Sequence, residues 1–211
     1  MKALTKETQA EITPNIALTL LKEGNARFLK KNMMNRDLLD QVNDTQSGQY
    51  PFATILSCID SRVSSELIFD QGVGDIFSIR IAGNFVNEDI LGSMEFACKL
   101  AGTKLVLVLG HTSCGAVKGA CDDAKLGNLT ALISKIKPAV AAVEEPTDAA
   151  QRNSKNIDFV NEVAVKNVYM TMDAIRKQSD VLREMEENKE ILLVGGMYNV
   201  CLLYTSPSPR D

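Results

Sequence analysis

Apolar residues recur along this chain at two periods. Behind the pair Thr13-Pro14, which reads as an N-cap followed by proline in the first turn, Ala17, Leu18, Leu21, Ala26, Phe28 and Leu29 fall at helical spacing and predict a helix to about Asn32. Residues 35–48 show weak periodicity and many Asp, Asn and Gln, the pattern of a surface connection. Short, β-branched apolar runs at 52–57, 75–81, 104–110 and 190–196 predict strands. Between them, helical spacing appears over 64–70, 88–100, from near Cys114, over about 128–143 and 154–178, and through Leu182 and Met185. Strands alternating with helices predict a single α/β domain over 1–200 with a mostly parallel sheet and an N-terminal helical arm at about 13–34.

Composition narrows the class. At 211 residues and 45% hydrophobic content the chain can bury a sizeable core without disulfide staples. A net charge of -4, and no basic run longer than Lys30-Lys31, argue against a nucleic-acid partner. The apolar stretches reach about seven residues where a membrane span needs about 20. The first residues contain no apolar core of a leader, and five cysteines, an odd count, argue for a reducing compartment; the cytoplasm is the expected location. Residues 201–211, CLLYTSPSPRD, break the pattern of the rest and can be back-translated into a common sequencing adapter, so a non-native or disordered tail is expected there.

Two strand ends carry candidate chemistry. Cys58-Ile-Asp-Ser-Arg62 follows the first predicted strand and His111-Thr-Ser-Cys114 follows the third. Open parallel sheets bind ligands outside the carboxyl ends of their strands. Cys58, His111 and Cys114 form a three-ligand set of the kind that holds catalytic zinc with a fourth position open. His111 is the only histidine, so any imidazole chemistry runs through it. Cys98 and Cys121 lie within helical patterns and read as small buried hydrophobes. The Gly110–Gly115 spacing of a phosphate loop lacks its lysine, since Ala116 stands there.

The pair C-x-D-x-R and H-x-x-C, with the runs Gly72-Val-Gly-Asp-Ile-Phe77 and Arg80-Ile-Ala-Gly-Asn84, resembles the β-class carbonic anhydrases over about residues 14–200. The resemblance implies a Rossmann-like fold that hydrates carbon dioxide to bicarbonate and a proton. It implies one Zn²⁺ per chain on Cys58, His111 and Cys114, with an Asp60-Arg62 dyad beside it. Gln49, nine residues before Cys58, and Phe77, nineteen after it, match cleft positions of the family. Phe96 stands where the Gln-bearing subtype usually has a tyrosine, and Val63 and Gly115 are further expected substrate contacts. The regulated subtype has a Trp three residues before the first Cys in a noncatalytic bicarbonate pocket; here Ile55 occupies that place, with Arg80 and Tyr198 at the pocket's other positions, so no such inhibition is expected. Family members assemble as dimers or tetramers, with the N-terminal helix embracing a neighbour and cleft residues crossing the interface.

Chemistry adds two expectations. Two thiolates cancel the charge of Zn²⁺, so the rate should rise toward alkaline pH. With His111 committed to metal, no histidine remains as a proton shuttle, and turnover should depend on buffer. Two rival readings share these residues: a hydrolase of carbonyl sulfide or carbon disulfide, and a noncatalytic zinc or thiol-redox protein in which Cys58 and Cys114 respond to oxidant.

Overall fold

The computed structural model describes residues 2–200 with their side chains and 204–207 by backbone. The chain starts with a short helix α1 (Lys6–Ala10), capped by reciprocal bonds between Thr5 and Thr8. Helix α2 (Pro14–Leu29) follows, with the Thr13 side chain accepting from Ile16 N and Pro14 in the first turn, as the sequence pattern predicts. The segment read as a surface connection contains a further helix, α3 (Leu38–Asp44). Its start is set by Asp37, whose carboxylate caps Leu39 N and Asp40 N, and the polar Gln41 supplies its one buried side chain. A local cap outweighs weak amphipathicity here.

Strand β1 (Ala53–Ser57), helix α4 (Ser65–Ile68), strand β2 (Ile76–Arg80) and helix α5 (Glu88–Glu95) come next. The last turn of the helical run expected over 88–100 widens to π geometry at Phe96–Leu100. Strand β3 (Leu105–His111) leads to α6 (Gly115–Cys121). The single helix expected at about 128–143 is two, α7 (Gly127–Ser134) and α8 (Lys137–Ala142). Pro138 is the cause: it offers no N–H to Ser134 and its ring crowds that carbonyl. Helices α9 (Ile157–Gln178) and α10 (Asp180–Glu187) precede strand β4 (Leu192–Asn199). Residues Tyr204–Pro207 form β5, beyond the last strand expected from the sequence; the rest of the tail reading, at 201–203 and 208–211, lies outside the described residues.

The sheet order is β2-β1-β3-β4-β5, with four parallel strands and β5 antiparallel on β4. Every residue of β3 is buried, as a central strand covered on both faces requires. Leu105, Leu107 and Leu109 pack with Ala17 and Leu21 of α2 on one face, and Val106 and Val108 pack with Val168, Met172 and Ile175 of α9 on the other. A third apolar cluster joins Val117, Ile133, Ile136 and Ala139 of α6–α8 to Phe159, Val160 and Val163 of α9, and it includes Cys58 and Cys114. No helix among the described residues is long and apolar enough to cross a membrane.

A candidate metal centre at two strand ends

Strands β1 and β3 are neighbours in register, Ser57 beside Leu109, so their carboxyl ends open at the same level. Cys58 is the first residue after β1, His111 the last of β3, and Cys114 the N-cap of α6. Between the last two, Ser113 turns the chain with a left-handed backbone (φ 54°), and its N–H donates to Asn161 Oδ1 at 2.9 Å. The ligand atoms of Cys58, His111 and Cys114 all lie within 4.8 Å of one another, and all three side chains are buried.

His111 Nδ1 lies 2.9 Å from the carbonyl of Thr112. A carbonyl can only accept, so Nδ1 carries the proton and Nε2 is left with a bare lone pair. That Nε2 is buried and has no hydrogen-bond partner among the described residues. Such an orphan costs about 1–3 kcal/mol unless something fills it. The sulfurs of Cys58 and Cys114, 3.9 Å apart, face the same space. Two sulfurs and one imidazole nitrogen with its lone pair turned inward fit a tetrahedral zinc ion, with one place left for a non-protein ligand.

Electrostatics prepares the thiols for a cation. The Cys58 thiol is pulled well below its ordinary range by its hydrogen bond with Cys114, against burial, and further by Gly83 N–H, which points at its sulfur from 3.4 Å. Cys114 is pushed up by the neighbouring sulfur and by burial. Without metal the pair therefore shares one negative charge, and a dication supplies what the second thiolate needs.

Asp60 stands at the rim. Arg62 holds it by two parallel bonds, and the Arg62 backbone N–H adds a third at 3.0 Å. These bonds hold the Asp60 carboxyl far below the usual carboxylate range, with the Arg62 side-chain bond dominant and burial opposing it. Arg80 donates to the carbonyls of Cys58 (3.0 Å) and Asp60 (2.7 Å), so this arginine braces the first ligand loop from β2. From sequence, Arg80 stood in the Arg80–Asn84 run of the family resemblance and at a position of the regulatory pocket; its bracing role had no signal beyond its place late in a strand.

The other expected residues are dispersed within one chain. Phe77 and Phe96 meet edge to face at 6.3 Å and line a groove of about 570 Å³ with Ser78, Glu88 and Ser93. Gln49 lines a second groove with Thr45 and Gly74. Neither groove includes Cys58, His111 or Cys114. Val63 is fully buried in the core beside α2, and Gly115 starts α6 directly after Cys114 with open space where a Cβ would point. Ile55 and Tyr198 are buried in the same core as Val63. Cys98 is buried as expected, and Cys121 only partly.

A family model described as carbonic anhydrase matches residues 53–201. Carbonic anhydrase 2 of Mycobacterium tuberculosis is 33% identical over 188 residues, covering 89% of this chain and 89% of its own. A carbonic anhydrase of Mycolicibacterium smegmatis is 36% identical over 133 residues, 60% of this chain and 65% of its own. Among solved structures, the β-carbonic anhydrase CafA of Aspergillus fumigatus shares the fold with a TM-score of 0.69 at 22% identity, covering 93% of this chain and 91% of that one. The tetrameric β-carbonic anhydrases of Sordaria macrospora give 0.68 at 20% identity, covering 92% and 98%.

Proposed function

The chain belongs to the β-class carbonic anhydrase family, and from that premise we propose that it hydrates carbon dioxide reversibly to bicarbonate and a proton, with one zinc ion held by Cys58, His111 and Cys114. The observation that carries the proposal is the buried, unpartnered Nε2 of His111 facing two sulfurs. When bound there, zinc supplies a Lewis acid that makes hydroxide available from water near neutral pH. Cys58 and Cys114 offset its charge as thiolates, which moves the working range toward alkaline pH.

Asp60 and Arg62 are the proposed catalytic dyad. Left free, the Asp60 carboxylate has the reach to compete for the open ligand position, since its Oδ2 is 3.9 Å from His111 Nε2. Arg62 holds it in place by two bonds, and so held it would accept a hydrogen bond from the nucleophilic water and orient that water toward carbon dioxide. Gln49 as an amide donor to a substrate oxygen, Phe77 and Phe96 as an apolar wall, and Gly115 directly after Cys114 complete the proposed cleft; Val63, fully buried in the core, offers substrate no surface. Since Gln49 and Phe77 stand apart from the ligands in one chain, the proposal includes a second copy that brings them across an interface, in a homodimer or homotetramer. Ile55 in place of a Trp, and Arg80 already engaged with two carbonyls, support the Gln-bearing subtype without bicarbonate inhibition. The cytoplasm, where both thiols stay reduced, is the proposed location.

The test is stopped-flow hydration of carbon dioxide by protein of measured zinc content, beside a Cys58→Ser variant. Activity that tracks zinc and disappears in the variant is the expected result. Zinc-loaded protein inert at both neutral and alkaline pH would refute the proposal.

A further inference from the structure

We infer that helix α9 is the frame of the metal centre, and that Asn161 and Asn167 are positioning residues which hold the two ligand loops at their working separation. The inference rests on the metal reading of Cys58, His111 and Cys114. Cys58 comes from the end of β1, and His111 with Cys114 from the end of β3 and the turn after it; α9 grips the surroundings of both. Asn161 Oδ1 accepts from Ser113 N at 2.9 Å, inside the His111–Cys114 turn. Asn167, buried in the apolar face of α9, donates through Nδ2 to the carbonyl of Gly83 at 2.8 Å. Gly83 in turn donates its N–H to the sulfur of Cys58.

Each grip falls on a backbone that would otherwise relax. Ser113 has φ 54°, a conformation rare for a side chain other than glycine, asparagine or aspartate. Gly83 has φ +80°, and a Cβ there would meet Ile136 Cδ1 at 2.4 Å, so the position requires glycine. Glycine alone leaves both flanking peptides free to rotate; the Asn167 bond holds the carbonyl side of Gly83 and so narrows the directions its N–H can take. Asn167 stands among Val160, Val163, Ala164, Val168 and Thr171 on the buried face of α9. A polar side chain in that stripe is there for its hydrogen bond. Groups that orient metal ligands typically change metal affinity by about 10–100-fold when removed.

The two asparagines act with opposite ends of the amide, and this gives the test its signature. Ser113 N–H needs an acceptor, so aspartate can replace Asn161; the Gly83 carbonyl needs a donor, so aspartate cannot replace Asn167. Wild-type, Asn161→Leu, Asn161→Asp, Asn167→Leu and Asn167→Asp chains are compared by zinc affinity in competition with a chromophoric chelator. The sulfur-to-cobalt charge-transfer band of the cobalt(II)-substituted proteins gives a second readout. The expected result is a loss of zinc affinity of about 10–100-fold and a shifted band in both leucine variants and in Asn167→Asp, with Asn161→Asp close to wild type. If the Asn167 variants do not fold, the Asn161 pair decides by the same contrast. Leucine variants that melt earlier but keep wild-type affinity and an unchanged band would show a merely structural role and overturn the inference. A wild-type chain that takes up no zinc fails differently, since it overturns the metal reading itself and this inference with it.

Discussion

Arg62 grips Asp60 in a fork, Nε to Oδ1 at 2.9 Å and Nη2 to Oδ2 at 2.7 Å, although the two residues are only two positions apart. The short spacing works because the chain between them turns after β1, returning the Val63 N–H to the Asp60 carbonyl at 2.9 Å. The geometry needs a planar, bidentate donor, which lysine is not. Removing the guanidinium frees the carboxylate to turn toward His111.

Arg62→Ala is therefore expected to lower carbon dioxide hydration by about 10–100-fold, and Arg62→Lys to recover only part of it. The pH profile separates this from a general loss of structure. Arg62 depresses the Asp60 carboxyl, so in the wild type Asp60 stays ionised throughout the neutral range and adds no acid limb. In Arg62→Ala its ionisation moves up toward the ordinary carboxylate value of about 4, and a limb absent from the wild type enters the acid side of the rate profile. Stopped-flow rates across the acidic range check this; an acid side identical in the two proteins would place the proton acceptor elsewhere.

Metal removal should expose one reactive thiol per centre and not two. In the stripped centre Cys58 carries the charge, while its neighbour Cys114 is held as a thiol. Burial pushes Cys98 and Cys121 up to about 11, so neither competes near neutral pH. In a Cys201→Ser background, alkylation after chelation should mark Cys58 first, and zinc should protect it. Peptide mass mapping reads the order; equal labelling of Cys58 and Cys114 would refute the placing of the charge on Cys58.

The convergence of Cys58, His111 and Cys114 was legible because they sit at or just after the ends of short apolar runs, and in a parallel sheet that position places them at one edge. The β3 run was legible for the same reason: a strand buried on both faces is a continuous apolar block. Helix α3 was not, since its start depends on the Asp37 cap and its buried side chain is the polar Gln41, which leaves no apolar stripe to read. The split between α7 and α8 was readable in Pro138 but hidden under continuous helical spacing. Asn161 and Asn167 act through bonds to residues 48 and 84 positions away, and no local pattern encodes such partners.

Asp70 anchors the N-terminal arm to the core. Its fully buried carboxylate lies 2.5 Å from Arg27 Nε on α2 and 2.5 Å from Arg36 Nη1 in the segment before α3. Burial alone would raise this carboxyl; the two arginines reverse that and bring it below its ordinary value. Asp70→Asn leaves the nearly buried Arg36 without its counter-charge and is expected to lower the urea midpoint. Because the folded value is the lower one, the stabilisation is complete above about pH 4, the unfolded value, and fades as pH falls through the folded one. Urea midpoints of the two proteins should therefore differ most near neutrality and converge in acid. A gap that stays constant into strong acid would refute the assignment.

A second chain is expected to complete the cleft. Phe77 pairs with Thr54, four residues before Cys58 on β1, so at about 3.3 Å per residue it sits roughly 13 Å along the strand from the level of the ligands. Gln49 lies before β1 begins, farther still. Within one chain the grooves of Phe77 and Gln49 do not include Cys58, His111 or Cys114, and a two-fold partner is expected to present its Gln49 and Phe77 there. Cys58→Ser and Gln49→Ala chains should each be nearly inactive. In a mixed dimer one site carries both substitutions and the other carries neither. After random exchange of subunits in equal amounts, activity should return to about one quarter of wild type, because half the dimers are mixed and half their sites are intact. Exchange is verified independently by mass-tagged chains. Complete exchange without recovered activity would show that each chain builds its cleft from its own Gln49, and would overturn the cleft shared across an interface.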